Sequence, residues 1–399
     1  MKIVAVICEF NPFHAGHALL FRRVRERFGE DSAIVCVMSG SFVQRGEPAI
    51  LSKWARAKAA TCEGADLVLE LPFPYSASSA ERFARAGVAI ADALGCVDYL
   101  AFGSEAGDTE KLFRIAENME SAEFSRAYAE ADANKASGTA EKSTLAYERT
   151  FGHETTLHTP NNILGVEYIR ALLQRKSRIL PIAFKREGMA HDETNSIEIG
   201  SAMAARQMLY NGEEERVFSM LPSASAAVLR EELASGRAVL SPEKFMDDLL
   251  LCYRLFDPRK YKSADGLGGG LAHRVYAAAQ KACTGQKFFE AIRTKRYTDA
   301  FLRRSLLYGI LDVTRERLNS PPAYTQVLAF GARGRSILSA ARKTASLPIL
   351  TKPADYKTLS EATKEAAELS YRADSICCAL SCEPSSPSDL LRHSPYRKA

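Results

Sequence analysis

Short apolar runs alternate with longer amphipathic ones through the first half of the chain. Residues 2–7 form an apolar, β-branched run, and residues 33–38, 67–71 and 97–102 form three more. Continuous apolar runs of this length read as strands buried on both faces. Between them, apolar residues recur at helical spacing. Leu20, Phe21, Val24 and Phe28 mark a first helix over 18–28, Ser52 caps a second over 53–63, and a third spans about 80–94. Lys53, Arg56 and Lys58 lie along the second helix and read as a solvated face. Residues 109–150 are polar, alanine-rich and helical, with a break at Ser137-Gly138. An amphipathic helix over 163–174 follows Thr159-Pro160-Asn161-Asn162, and residues 178–184 give a fifth strand whose Pro181 favours an edge or an end. This strand–helix alternation predicts an α/β fold with a Rossmann-like doubly wound parallel sheet.

The pattern changes near 235–242. Ser241 before Pro242 reads as a cap and first helical position. From there the chain is mostly helical to about 318. Residues 265–270, Asp-Gly-Leu-Gly-Gly-Gly, follow no strand, so they read as a flexible joint rather than a dinucleotide site. Two short strands at 327–331 and 347–352 make this region α+β. The Ser/Pro-rich, basic end, 383–399, reads as frayed. The expected division is therefore 1–240 and 241–399.

Charge sharpens that division. The 399 residues are 46% hydrophobic, ample for real cores, and carry a net charge of +5. Residues 1–240 hold 27 basic and 32 acidic residues, a net −5, whereas 241–399 hold 26 and 16, a net +10. The second region is thus expected to bind a polyanion. The nine cysteines are odd in number and mostly lie within apolar runs, which implies reduced thiols and a cytoplasmic protein. No C-x-x-C pair occurs, so Cys377, Cys378, Cys382 and His393 read as core thiols and a lone imidazole, and no metal-ligating residue is expected. No run of ~18 apolar residues suggests a membrane span.

The chemistry gathers after the first strand, in the stretch Ile7-Cys8-Glu9-Phe10-Asn11-Pro12-Phe13-His14-Ala15-Gly16-His17-Ala18-Leu19-Leu20. Ligands of an open parallel sheet bind at that strand–helix edge. A helix starting at His14 puts His14 and His17 on one face. Its first turn has unpaired N–H groups and a positive dipole end, which suit phosphate. Gly16 lets a nucleotide approach the backbone. Two imidazoles can donate to phosphate oxygens and stabilise a departing pyrophosphate. The H-x-G-H spacing alone also fits two surface histidines; the strand before it and helix after it favour a site. Gly103 ends a strand at the same edge, where a base or ribose can lie. Lys185 and Arg186 leave another strand as a cationic pair, and Ser201 with Arg206 reads as a phosphate clamp at a helix start. Asn161 and Asn162 serve as caps or as contacts to a nucleotide. The loop 39–48 exceeds the usual two to six residues, which favours a substrate role.

Several runs together resemble the bacterial tRNA(Met) cytidine acetate ligases. They are residues 9–17, residues 37–49 with Gln44-Arg45-Gly46, residues 66–72, Phe102-Gly103-Ser104-Glu105, residues 160–164 and Lys185-Arg186. The resemblance covers nearly the whole chain. It implies an HxGH nucleotidyltransferase domain over 1–240 and a tRNA-binding domain over 241–399. It implies an ATP-dependent enzyme that makes acetyl-adenylate from acetate and passes the acetyl group to N4 of the wobble cytidine of elongator tRNA(Met). The implied ATP site is residues 7–20 with Gly103, Asn162 and Arg186, Asn161 being a near alternative. His14, His17 and Lys185 would act on the phosphates, and Mg²⁺ would come with them. No membrane or DNA partner is implied. One run departs from the family pattern: residues 201–206 read Ser-Ala-Met-Ala-Ala-Arg, and Met203 offers no hydroxyl to a phosphate. Two alternatives remain from the residues alone: an adenylyltransferase acting on a phosphorylated small molecule, and a non-catalytic RNA-binding protein on this fold.

Overall fold

The computed structural model describes residues 1–133, 139–186, 202–268, 270–390 and 393–398. Strand–helix repeats build its centre. β1 (Ile3–Cys8) leads to α1 (Ala15–Phe28), β2 (Ala33–Ser39) to α2 (Lys53–Cys62), β3 (Leu67–Leu71) to α3 (Ala80–Ala93), and β4 (Tyr99–Ser104) to α4 (Thr109–Met119). A helical excursion, α5 (Ala122–Ala133) and α6 (Thr139–Phe151), precedes α7 (Pro160–Arg175) and β5 (Leu180–Lys185). Sheet order is β5-β4-β1-β2-β3, all parallel. Alternate residues serve opposite layers. Ala5, Ile7, Val35, Val37 and Leu69 pack with residues of α3 and α7, while Val4, Val6, Ile34, Cys36 and Met38 pack with Phe21, Val24, Trp54 and Ala57. Both faces are covered, which explains the unbroken apolar runs.

Beyond β5, α8 (Ala202–Tyr210), α9 (Glu214–Met220) and α10 (Ser223–Ala234) share a core with Ile50, Leu51 and Ala55. A helical body follows, made of α11 (Pro242–Leu255), α12 (Pro258–Tyr261), α13 (Leu271–Lys281), α14 (Gly285–Ile292), α15 (Asp299–Leu311) and α16 (Arg315–Asn319). Phe42 and Phe73 from the first half insert into its core. The chain ends with β6 (Thr325–Phe330), α17 (Ala332–Thr344), β7 (Ile349–Leu350), α18 (Glu361–Leu380) and β8 (Tyr396–Arg397).

Three features differ from the sequence pattern. β6 lies antiparallel against β3 and is flanked by β7 and β8, so the sheet does not stop at residue 240. β8 lies within the supposedly frayed end, and His393 stacks on Trp54 with ring centroids 5.2 Å apart. The start of the expected joint is a packed turn: Asp265 accepts from Arg82 at 2.7 Å, and a Cβ on Gly266 would overlap Ser305.

The second helix corrects another expectation. Lys58 is half-buried and pairs with Glu231 at 2.7 Å, but Lys53 and Arg56 are buried, at 5% and 1% exposure. Lys53 Nζ donates to Glu70 at 2.8 Å and to Asp374 of α18 at 2.7 Å. Burial alone would lower its pKa, yet Asp374 and Glu70 hold it above the ordinary lysine value. Arg56 donates to the carbonyls of Glu9, Ser39, Gly40 and Leu51. Its guanidinium thus fixes the ends of β1 and β2 to the start of α2. Removing one member of a buried ionic group strands the others, at a cost of about 3–5 kcal/mol. Lys53→Met is therefore expected to lower unfolding free energy by about that amount in urea titration; a loss below about 1 kcal/mol, the scale of a surface pair, would contradict this reading.

Candidate active site

The turn from β1 to α1 is shaped by three phenylalanines. Phe10, Phe13 and Phe21 are almost fully buried, and Phe10 lies 4.9 Å from Phe13 and 6.0 Å from Phe21, centroid to centroid. Phe10 has a φ of 49°, a left-handed conformation that a bulky residue adopts only when its surroundings impose it. Here tight aromatic packing does so. Ser225 Oγ adds a bond to the Phe13 carbonyl at 2.7 Å.

His14 then serves as N-cap, and α1 starts at Ala15. The cap is reciprocal. Gly16 N–H donates to His14 Nδ1 at 3.0 Å, and His14 N–H donates to His17 Nδ1 at 3.2 Å. The rings stack with centroids 3.8 Å apart. Because each Nδ1 accepts, a neutral ring carries its proton on Nε2. Burial, with the Arg186 charge added, pulls His14 from 6.5 down to about 4. His17 is also held well below the ordinary imidazole value, by burial, His14 and Arg186. Both rings are thus neutral Nε2–H donors near pH 7. The Gly16 N–H that a bare helix start would offer to an anion is consumed by the cap, whereas the imidazole Nε2–H groups are not.

The His17 ring borders a cleft of about 150 Å³ at the carboxyl edge of the sheet, and His14 is not among its walls. Of the residues singled out in the sequence, Ile7, Cys8, Gly16, His17, Leu19, Leu20, Gly103, Lys185 and Arg186 line it. His14 stacks behind His17, and Phe10 and Phe13 contact the His17 ring. Gly103 makes room for Arg186, because a Cβ there would lie 3.2 Å from Arg186 Cγ. Ala15 and Ala18 belong to α1 but not to the walls. A roomier cleft of about 270 Å³, between α3, α7 and residues 318–322, contains none of the motif.

Other expected residues support the motif instead of lining the cleft. Glu9 Oε1 accepts from Gln44 N–H at 2.7 Å, and Asn11 Oδ1 accepts from Ile50 N–H at 2.9 Å, tying the motif to loop 39–50; buried Pro12 lies between Asn11 and Phe13. Arg206 Nη1 donates to the Asn11 carbonyl at 2.8 Å. Asn162 is enclosed: its Oδ1 accepts from Ser104 Oγ at 2.6 Å and its Nδ2 donates to Thr159 Oγ1 at 2.6 Å. Asn161 is the asparagine in the cleft wall. Ser201 lies outside the described residues.

Some walls were missed in sequence. Arg23 lines the cleft and donates to the Lys185 carbonyl at 2.5 Å, joining α1 to the end of β5. Leu164, Tyr168 and Phe184 complete the apolar side. Helical spacing carried the signal: 16, 19, 20 and 23 share one face of α1, and 161, 164 and 168 share one face of α7. Carboxylates for a metal are scarce at the cleft. Burial opposes ionisation of Glu105, but hydrogen bonds from Asn161 and Asn162 keep its pKa below the usual value and occupy its oxygens. Elsewhere, Glu148, His153 and His158 are close enough to share an ion, and both rings contact the Glu148 carboxylate.

Fold and site together define a nucleotidyltransferase of the HIGH type. A HIGH nucleotidyl transferase family model matches residues 1–389. The chain is 34% identical to the tRNA(Met) cytidine acetate ligase of Acetivibrio thermocellus, covering 94% of both proteins. It is 37% identical to that of Caldicellulosiruptor saccharolyticus, covering 94% of this chain and 93% of the relative. The crystal structure of Thermotoga maritima TmcAL bound with alpha-thio ATP superposes with a TM-score of 0.91 at 30% identity, over the whole of both chains. This chain belongs to the tRNA(Met) cytidine acetate ligase family.

The buried neutral rings couple stability to pH. Unfolded imidazoles bind protons below 6.5, whereas folded His14 does so only near 4. The unfolded chain therefore holds more protons in that window, and stability falls as pH drops through it, by about 3 kcal/mol for His14 alone. The thermal midpoint is expected to fall from pH 6.5 towards 4.5, less steeply in His17→Gln. A slope identical in both proteins would contradict the assignment.

Proposed function

We propose that this protein activates acetate with ATP and transfers the acetyl group to N4 of the wobble cytidine of elongator tRNA(Met), in the cytoplasm. The observation that carries this reading is the stacked pair of neutral imidazoles at the start of α1, with His17 lining the same cleft as Lys185 and Arg186. In the first step an acetate oxygen attacks the α-phosphorus of ATP; the bond to the β-phosphate oxygen breaks, giving acetyl-adenylate and pyrophosphate. His14 and His17 donate Nε2–H bonds to the oxygens that gain charge, and Lys185 and Arg186 supply positive charge. The apolar wall of Leu164, Tyr168 and Phe184 excludes water from the mixed anhydride. In the second step the cytidine amine attacks the acetyl carbon, AMP leaves, and the amine loses a proton. The target base must be unstacked, which costs least in a single-stranded anticodon loop.

Magnesium is expected to arrive with the nucleotide. The cleft offers no pair of free carboxylates among the described residues, so the phosphates and water would supply its ligands. All nine cysteines are free thiols, consistent with a reducing compartment. Among the described residues no helix is long and apolar enough to cross a membrane.

Acetate-dependent exchange of pyrophosphate into ATP tests the first step, and N4-acetylcytidine in digested tRNA tests the second. His17→Ala is expected to lower exchange by about 10²–10³-fold, the range for removing one preorganised donor. AMP transfer to a phosphorylated metabolite instead, or RNA binding without ATP turnover, would overturn the ligase reading in favour of one of its two alternatives.

A further inference from the structure

The basic excess of residues 241–399 is divided between two edges of the sheet. Arg333, Arg335, Arg342 and Lys343 belong to α17. That helix starts after Gly331, whose N–H donates to the Asp66 carbonyl at 2.9 Å, and ends where Thr344 Oγ1 donates to the Leu94 carbonyl at 2.7 Å. Asp66 and Leu94 precede β3 and β4, so α17 borders the amino edge, opposite the cleft. The α14–α15 region is placed differently. Arg304 Nη1 donates to the Gln44 carbonyl at 2.9 Å, and Arg303 pairs with Glu47 at 2.9 Å. Gly46 has a φ of 73°, and a Cβ there would lie 2.8 Å from the Arg304 backbone nitrogen. Loop 39–50 follows β2 at the carboxyl edge, and Gln44 N–H is bonded to Glu9 of the motif. α15 is thus seated beside the cleft, on the side away from β4.

The turn between α14 and α15 carries a dense positive surface. Lys287, Arg293, Lys295 and Arg296 are exposed. Arg293 is held by Asp299, but Lys287, Lys295 and Arg296 pair with no carboxylate among the described residues. Two aromatic rings accompany them. Tyr297 and Phe301 are half-buried and stack with centroids 4.9 Å apart and planes 13° apart. The Arg296 guanidinium lies 5.5 Å from the Tyr297 ring. The turn is preordered by the Thr294–Tyr297 bridge. Cations that reach phosphates, beside aromatic faces on which bases stack, are how proteins grip single-stranded nucleic acid.

We propose that this surface, centred on Lys295, Arg296 and Tyr297, docks the single-stranded RNA loop that carries the base to be modified. The proposal rests on the reading of the protein as a tRNA-modifying ligase and adds the surface that RNA meets. α17 then plays no part in holding that loop, despite its charge.

Binding of fluorescently labelled elongator tRNA(Met) transcript, measured by anisotropy over a salt series, separates the two basic surfaces. Lys295→Glu/Arg296→Glu is expected to raise Kd at least tenfold and to flatten the log–log salt slope by about 1.4, as for two lost phosphate contacts to a single strand. Tyr297→Ala is expected to raise Kd about tenfold with the slope unchanged, because stacking releases no counterions. Arg335→Glu/Lys343→Glu on α17 should bind within about twofold of the parent, and thermal midpoints report whether each variant is folded. Parent-like binding by a folded Lys295→Glu/Arg296→Glu protein would overturn the proposal, as would a larger loss in the α17 variant. A preparation that binds this RNA but shows no acetate-dependent pyrophosphate exchange would instead overturn the ligase reading and leave the docking surface standing.

Discussion

Two histidines that cap one helix with each other's help are the constraint on which the site depends. A usual N-cap is a short polar side chain that satisfies one amide. Here the capping groups are imidazoles, and each has a second nitrogen left over. Using Nδ1 for the cap leaves Nε2–H outside it, so one set of bonds fixes ring position and tautomer together. Burial, which for His17 includes the rings of Phe10 and Phe13, keeps both imidazoles uncharged with Arg186 nearby. Geometry therefore comes from α1 and positive charge from the end of β5. Arg23 links the two through the Lys185 carbonyl. Donors that are already neutral and already aimed need no reorganisation when phosphate charge shifts, which is the main electrostatic advantage of a preformed site.

Behind the cleft, buried cations act as fasteners. Arg56 gathers carbonyls from the end of β1, the end of β2 and the start of α2, so the motif and loop 39–50 share one anchor. Lys53 joins Glu70 of β3 to Asp374 of α18, which ties the last long helix to the central sheet. β6 then extends that sheet from the second half of the chain. The helical body is thereby held in register with the catalytic edge, and α15 reaches the loop that Glu9 and Asn11 hold from the other side. The cleft edge and the α14–α15 surface are thus linked through backbone carbonyls and buried charge.

Much of this was legible in sequence where the signal is local. An apolar run, the H-x-G-H motif and an amphipathic helix follow one another in under 30 residues, and the parallel sheet follows from the repeated strand–helix alternation; that His14 caps the helix instead of starting it was not legible. Long-range partners were not legible. Lys53 and Arg56 looked solvated because nothing near them in sequence reveals Asp374, 321 residues from Lys53. β6 was recognisable as a strand, but no pattern names its neighbour. Asn161 and Asn162 are about 100° apart on a helix, so only the packing of α7 against β4 decides which faces the cleft. The terminal Ser/Pro-rich stretch misled for a similar reason: composition suggested fraying, whereas β8 finds its partner in β6.

The most direct test of the central claim is imidazole ¹⁵N NMR of the protein labelled at histidine, at neutral pH, with and without a non-hydrolysable ATP analogue. Resonances are assigned by His14→Gln and His17→Gln. The account predicts that both rings are neutral with the proton on Nε2, and that those Nε2–H signals shift on addition of the analogue. Protons on Nδ1, charged rings, or signals untouched by saturating analogue would contradict it.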